Sequence, residues 1–324
     1  MKDIYDVVII GGGPSGMTAG LYACRARMKA LLLEKMVCGG QVLMTYTIEN
    51  FPGFPDGIKG PELAEWMLKQ AERFGLEVKT AEAKNIILKK AEREPFVVEL
   101  ADGDKIEAAS LIISTGARWN YLNIPGEKEL TGRGVSYCAT CDGPLFRDKD
   151  VIVIGGGDTA LEDALFLTRF ANKVTVVHRR DRLRATKILQ ERMLSNKKVE
   201  LCLNAVATEI MGKDKCEGLK IKDVKTDKER ELKASGVFIF IGIVPNSDLV
   251  RPIVKTDEKG YIISDDDMRA SVDGIFACGD VRKKSLRQIV TAVGEGATAA
   301  FSAQHYVEQL KGTAYPPEAR LGGK

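Results

Sequence analysis

Two stretches of the chain carry the same pattern of apolar and polar positions. From Asp6 the sequence reads DVVIIGGGPSGMTAG and from Asp150 it reads DVIVIGGGDTALEDALFL, a β-branched run, a glycine turn, then small and helix-forming residues. The pattern predicts strand, tight turn and helix in both places. In register, Gly11, Gly13 and Gly16 match Gly155, Gly157 and Ala160 at a constant offset of 144, which marks an internal duplication. Each copy closes on a further apolar strand running into a glycine, LIISTGA at 111–117 and VFIFIGIVPN at 237–246. These strands bracket the second copy, so it reads as an insertion over 118–244 within a first domain made of 1–117 and 245–324. Helical spacing in GPELAEWMLKQAERFG and alternation in FVVELADGDKIEAASLII predict a helix and an antiparallel excursion between them. The last residues, YPPEARLGGK, read as a loose tail.

The glycine spacing has a chemical meaning. The first glycine permits the tight turn, the second lets backbone approach a pyrophosphate, and a small third residue lets helix and strand pack closely. The anion would then rest on the helix amino terminus, where free N–H groups and the macrodipole favour negative charge. The expected fold class is therefore α/β, with two Rossmann-like three-layer nucleotide-binding domains, one inserted in the other.

The end of the second strand in each copy tells the nucleotides apart. Twenty-three residues past its first glycine the first copy reaches Glu34, a carboxylate suited to ribose 2′-hydroxyls, as in FAD or NAD. At the same offset the second copy has His178, followed by Arg179, Arg180 and Arg184. Cations there suit a 2′-phosphate, so the second site reads as NADPH.

Composition narrows the partners. Lys and Arg total 48 against 45 Asp and Glu, a net charge of +3 spread without long runs, which is not the footprint of a nucleic-acid binder. No long apolar run predicts a membrane span and the amino terminus has no secretory pattern, so the expectation is a soluble cytoplasmic protein acting on a small molecule or another protein. Seven cysteines in such a chain argue against a set of stapling disulfides. One close pair remains: SYCATCDGPLF at 136–146 sets Cys138 and Cys141 three apart, with Asp142 next. By residue type the pair admits three readings: half a zinc site, a static crosslink, or a disulfide that is broken and remade.

The order and spacing of GGGPSG, GGQ (39–41), ENFPG (49–53), CATCD, GGGDTA, HRRDRLRA, CGD (278–280) and RQIVTAVGEG resemble the low-molecular-weight thioredoxin reductases over nearly the whole chain. The resemblance implies a homodimeric flavoenzyme that passes electrons from NADPH through FAD to a redox disulfide and on to thioredoxin. It implies an FAD site from Gly11, Gly13, Pro14, Ser15, Gly16, Glu34, Gly40, Gln41, Thr45, Asn50, Gly279, Asp280, Arg287, Gln288 and Ile289. Asp280 would meet the ribityl chain, and the helix opened by Arg287, Gln288 and Ile289 would be aimed at the flavin ring. For NADPH it implies Gly156, Gly157, Asp158, Thr159, His178, Arg179, Arg180 and Arg184. Cys278, where many relatives carry alanine, reads as a small buried residue.

Under that resemblance the cysteine pair is a catalytic disulfide, with Cys141 facing the flavin, Cys138 attacking the partner's disulfide and Asp142 shuttling the proton. A zinc site would need about four ligands in paired sets, yet no second cysteine pair exists, and the only histidines are His178 and His305. A static crosslink over so short a loop would remove little unfolded-state entropy. One departure is Pro144 and Leu145, where many relatives place aromatic residues that help dock the partner. The alternatives within the same chemistry are a reductase of another disulfide carrier, glutaredoxin-like or peroxiredoxin-linked, and a flavin redox sensor without turnover. A glutathione-type reductase would place its cysteine pair soon after Glu34, where Cys38 stands alone.

Overall fold

The computed structural model describes residues 4–314 apart from 46, 47, 90, 92 and 93; the tail expected at 315–324 lies outside the described residues. In chain order come β1 (Tyr5–Ile10), α1 (Pro14–Arg25), β2 (Ala30–Glu34), α2 (Gly60–Arg73), β3 (Glu77–Thr80), β4 (Ala83–Ile87), β5 (Phe96–Leu100), β6 (Lys105–Ile113) and β7 (Ala117–Trp119). Next are β8 (Val135–Ser136), α3 (Ala139–Asp142), β9 (Asp150–Ile154), α4 (Asp158–Leu167), β10 (Lys173–His178), α5 (Lys187–Leu194) and β11 (Val199–Leu203). The chain continues through β12 (Ala205–Met211), β13 (Gly218–Asp223), β14 (Glu229–Lys233), β15 (Gly236–Ile239), β16 (Ile243–Pro245), β17 (Ile275–Ala277) and α6 (Ile289–Lys311).

Two compact units result. One comprises Met1–Thr47, Phe51–Arg118 and Val244–Lys324, the other Ile48–Asn50 and Trp119–Ile243. In the first, the sheet order is β3-β2-β1-β6-β5-β4 with β17 also pairing β6. The strands β3, β2, β1, β6 and β17 run parallel, and β4 and β5 form the antiparallel excursion. Period-two alternation divides the core between two faces. Val7, Ile9, Leu32 and Ile112 pack with Met17, Ala23 and Ala299 on one side; Val8, Ile10, Leu31 and Ile113 pack with Phe96 and Val254 on the other. A strand buried on both faces reads as an unbroken apolar run, which is why VVII and LLL are legible as strands.

The second unit repeats this design. Its parallel order β11-β10-β9-β15-β8 mirrors β3-β2-β1-β6-β17. Val151, Val153 and Val176 meet α4 through Leu161, Ala164 and Leu167, while Ile152, Ile154 and Val177 meet Ile210, Leu219 and Ile221 of a separate antiparallel sheet, β12-β13-β14. The apolar run at 237–246 is not one strand: it breaks at Gly242, whose φ of +118° suits glycine. The crossings β7 and β16 pair with each other. Among the described residues no helix is long and apolar enough to cross a membrane.

Candidate active site

The first glycine turn is shaped by close backbone approach. A Cβ on Gly11, at φ +111°, would lie 2.5 Å from the Ser114 carbonyl oxygen, and one on Gly16 would lie 1.9 Å from the Gly11 oxygen. Only hydrogen fits at either position. Gly13, the N-cap of α1 ahead of Pro14, faces open space with nothing within 4 Å of a Cβ there. This is the opening a pyrophosphate needs at a helix amino terminus. Glu34 closes the turn, its carboxylate accepting from Gly12 N at 2.7 Å and from Met36 N at 3.1 Å. A carboxylate has about four acceptor positions, so two remain for a ribose.

Other segments of this unit converge on the turn. Gly39 N donates to the Gly12 carbonyl at 2.7 Å, and Gly40 sits where a Cβ would come 3.3 Å from Gly13 Cα. The Gln41 amide donates to the Ala117 carbonyl, and the Thr45 carbonyl accepts from Gly60 N at 3.2 Å. Gly279, at φ +76°, lies against the buried Ser15, and its N–H donates to Glu295 Oε2 at 2.8 Å. Gln288 caps α6 in a reciprocal box with Thr291, fixing the helix start at Ile289. Asn50 stands apart, since 48–50 groups with the second unit.

In the second unit the corresponding turn lines a cavity of about 350 Å³ bounded by Gly155, Gly156, His178, Arg179 and Arg184, with Leu122 and Ala205 among the apolar walls. Gly157 is the N-cap of α4 and, like Gly13, opens on empty space. Asp158 accepts from Thr186 N at 2.7 Å, tying α4 to the start of α5. Thr159, Arg179, Arg180 and Arg184 are exposed, and Arg180 is not among the cavity's lining residues. His178 is buried; burial, then Arg184, Arg180 and Arg179, hold its pKa below the ordinary 6.5, which favours the neutral ring.

Three buried side-chain polar atoms lack a hydrogen-bond partner among the described residues: His178 Nε2, Asp280 Oδ1 and Arg287 Nε. All three belong to residues expected to hold a nucleotide. An unsatisfied buried polar atom costs about 1–3 kcal/mol, so each marks a place where a polar ligand would repay its desolvation. Asp280 Oδ1 is nonetheless ion-paired with Lys284 Nζ at 3.1 Å, which offsets part of its cost and leaves His178 Nε2 and Arg287 Nε as the clearer cases. Arg287 lies over the Tyr261 ring at 4.2 Å. By donor set both turns suit a dinucleotide, and the second also offers a cavity for one.

Cys138 and Cys141 are joined in a disulfide with Cα atoms 5.3 Å apart. They flank the first turn of α3: Cys138 is its N-cap, and Cys141 N donates to Cys138 Sγ at 3.2 Å. Asp142, next along, accepts from Ser136 Oγ at 2.5 Å. Burial pushes its carboxyl above the ordinary range, opposed by the Ser136 hydrogen bond. An acid so raised is suited to hold a proton and release it. Among the described residues no group of three or more His, Cys, Asp or Glu is placed to hold a metal ion.

The sequence matches the pyridine nucleotide-disulphide oxidoreductase family over residues 5–296. The chain belongs to that family. Within it, the chain is 48% identical to the thioredoxin reductase of Bacillus subtilis (strain 168), covering 96% of this chain and 98% of the relative. It is 47% identical to that of Listeria monocytogenes, covering 96% of each. The crystal structure of thioredoxin reductase from Streptococcus pyogenes superposes with a TM-score of 0.91 at 47% identity, covering 95% of this chain and all of that one.

Several residues that shape these family features escaped the sequence reading. Glu295 holds Gly279 and pairs with Arg282 and Lys284, both buried, at 3.1 and 3.2 Å. Ser114 braces the first turn by donating to the Gly11 carbonyl at 2.8 Å. Ser136 and Glu127 hold the segment entering the disulfide, Glu127 accepting from Tyr137 Oη at 2.9 Å. Lys284 lies only four residues past Asp280, but the chain there is extended beyond Val281, so helical spacing does not signal the pair.

Proposed function

We propose that the protein is an NADPH-dependent thioredoxin-disulfide reductase that works as a cytoplasmic homodimer with bound FAD. In this reading the FAD-binding domain is 1–117 with 245–324, and 118–244 binds NADPH and carries the cysteine pair. The observation that carries the reading is the Cys138–Cys141 disulfide with the half-buried Asp142 carboxyl beside it, in a chain with two glycine turns of the dinucleotide-binding type. Bound FAD would supply the two-electron relay between NADPH and that disulfide. Its holders would be the glycine turn at 11–16, Glu34, Gly40, Gln41, Thr45, Asn50, Gly279, Asp280 and the 287–289 helix start; those of NADPH would be 156–159, His178, Arg179, Arg180 and Arg184.

The chain's own chemistry then follows. The Cys138 thiolate attacks one sulfur of the partner's disulfide, forming a mixed disulfide and releasing one partner thiolate. Cys141 thiolate attacks the Cys138 sulfur, which restores the intramolecular bond and releases the second. Two electrons leave the pair, and Asp142 passes a proton to a departing thiolate. Leu145 is exposed and Pro144 half-buried where many relatives of the resembled family carry aromatic docking residues, so the partner range is part of the test.

The experiment is anaerobic reduction of the flavin-loaded protein with NADPH, followed by oxidised thioredoxin or glutaredoxin. The wild type should reduce thioredoxin. Cys138→Ser should keep flavin reduction by NADPH and lose thioredoxin reduction completely; full turnover by that variant defeats the assignment. Faster turnover with glutaredoxin would move the protein to a different carrier.

A further inference from the structure

Ser136 is buried between the two groups that the proposed chemistry uses. Its Oγ donates to Asp142 Oδ2 at 2.5 Å, accepts from Cys138 N at 3.1 Å, and lies 3.3 Å from the Cys138 carbonyl oxygen. A hydroxyl has one proton to donate and two acceptor positions. With one proton it cannot donate to Asp142 and to the Cys138 carbonyl at once, so the two contacts alternate.

We infer that Ser136 is a positioning residue for proton transfer, its hydroxyl satisfying the Asp142 carboxyl in both protonation states by turning between Asp142 and the Cys138 carbonyl. When Asp142 is ionised, Ser136 donates to it and accepts from Cys138 N. When Asp142 is protonated, the carboxyl O–H donates to Ser136 Oγ, and the serine proton swings to the Cys138 carbonyl. Every donor is used in each state, and the carboxyl stays in one place while its charge changes. In a buried site that removes the reorganisation a lone carboxyl would need. The balance is one proton: Asp142 loses it to a departing thiolate and regains it from a thiol, and the serine rotates without being consumed.

Few other charges bear on the site. Glu49 acts on Asp142 and favours the protonated form, burial acts in the same direction, and Ser136 opposes both. On its own element the adjacent titratable groups are the Cys138 and Cys141 thiols once the disulfide is reduced. The serine thus sets how far the acid is raised.

This inference rests on the assignment of Asp142 as the proton carrier, and the experiment separates the two. The flavin-loaded full-length wild type, Ser136→Ala, Ser136→Thr and Asp142→Asn are compared by the pH profile of thioredoxin reduction and by the infrared carbonyl band of protonated Asp142, assigned by its loss in Asp142→Asn. The bond to the ionised carboxylate is charge-assisted and stronger than the one to the neutral acid, a difference that corresponds to about one pH unit. Ser136→Ala should therefore move both the profile's limb and the band midpoint up by roughly that amount, and Ser136→Thr should restore them. An unmoved midpoint in Ser136→Ala overturns the inference, as does a uniform loss of rate at every pH, which would mean bracing alone. If Asp142→Asn keeps the wild-type rate and profile, Asp142 is not the proton carrier, and the band midpoint still decides whether Ser136 governs its protonation.

Discussion

The two glycine turns are built to one plan and finished differently. Gly11 N donates to the Leu33 carbonyl at 2.9 Å, and Gly155 N to the Val177 carbonyl at 3.1 Å, the same bond 144 residues on. The middle glycine of each turn lies under the side chain that ends its second strand. A Cβ on Gly12 would come 3.1 Å from Glu34, and one on Gly156 would come 2.3 Å from His178 Nδ1. Even the loop that follows returns to the same atom, Gly39 N to the Gly12 carbonyl and Arg184 N to the Gly156 carbonyl, both at 2.7 Å. The difference lies in charge and in satisfaction. Glu34 spends one acceptor position of each oxygen on the turn itself, whereas His178 leaves Nε2 unpaired and the cations around it are exposed. The first turn is closed by its own acid; the second keeps its polar atoms open for a ligand.

The largest break in that comparison should come from Glu34→Ala. It removes two charge-assisted backbone hydrogen bonds as well as the proposed ribose acceptor, each such bond being worth about 1.5–3 kcal/mol. Flavin retention should fall by roughly a hundredfold or more, measured as flavin bound per chain after dialysis. Retention equal to wild type would mean that the carboxylate serves only the backbone.

In the second turn the effect should be smaller and selective. Arg179→Ala with Arg180→Ala should weaken NADPH by about ten- to a hundredfold and leave NADH nearly unchanged. Equal rises in KM for both nucleotides would show that these cations do not read a 2′-phosphate. Because Arg180 does not line the cavity, Arg179 should account for most of the loss in the single variants.

Smallest and most local is Gly156→Ala. Its Cβ would overlap the His178 ring, and overpacking of this kind costs about 1–3 kcal/mol. The denaturation midpoint should drop accordingly, and His178→Ala in the same chain should recover part of it. Additive losses would show that the glycine is not there to make room for the imidazole.

The sequence made the strands and both turns legible because burial on two faces and close backbone approach each leave a mark on residue type. VVII and VIVI can only be runs, and positions such as Gly11 and Gly16 exclude any side chain. What it left out depends on which side chains pair. Glu295 reaches Gly279 from α6, Ser136 reaches Asp142 across α3, and Glu34 turns back onto Gly12. None of these changes a periodicity or a spacing. The split at Gly242 and the grouping of 48–50 with the second unit were likewise illegible, since both follow from contacts between segments distant in sequence.

The crossings bear on how such a chain could arise and be altered. Gly116 and Asn246 are joined by a backbone bond of 3.0 Å within the first unit, and Asn120 and Gly242 by one of 3.0 Å within the second. Each unit therefore brings its own cut ends together. A host fold with ends already side by side pays almost no extra loop-closure entropy to accept a guest of any length. A guest whose ends meet can be excised, re-closed by a short turn, or given new termini at another loop. At the level of the gene, such a unit has the ends of a cassette, both held side by side where the carrying fold receives them.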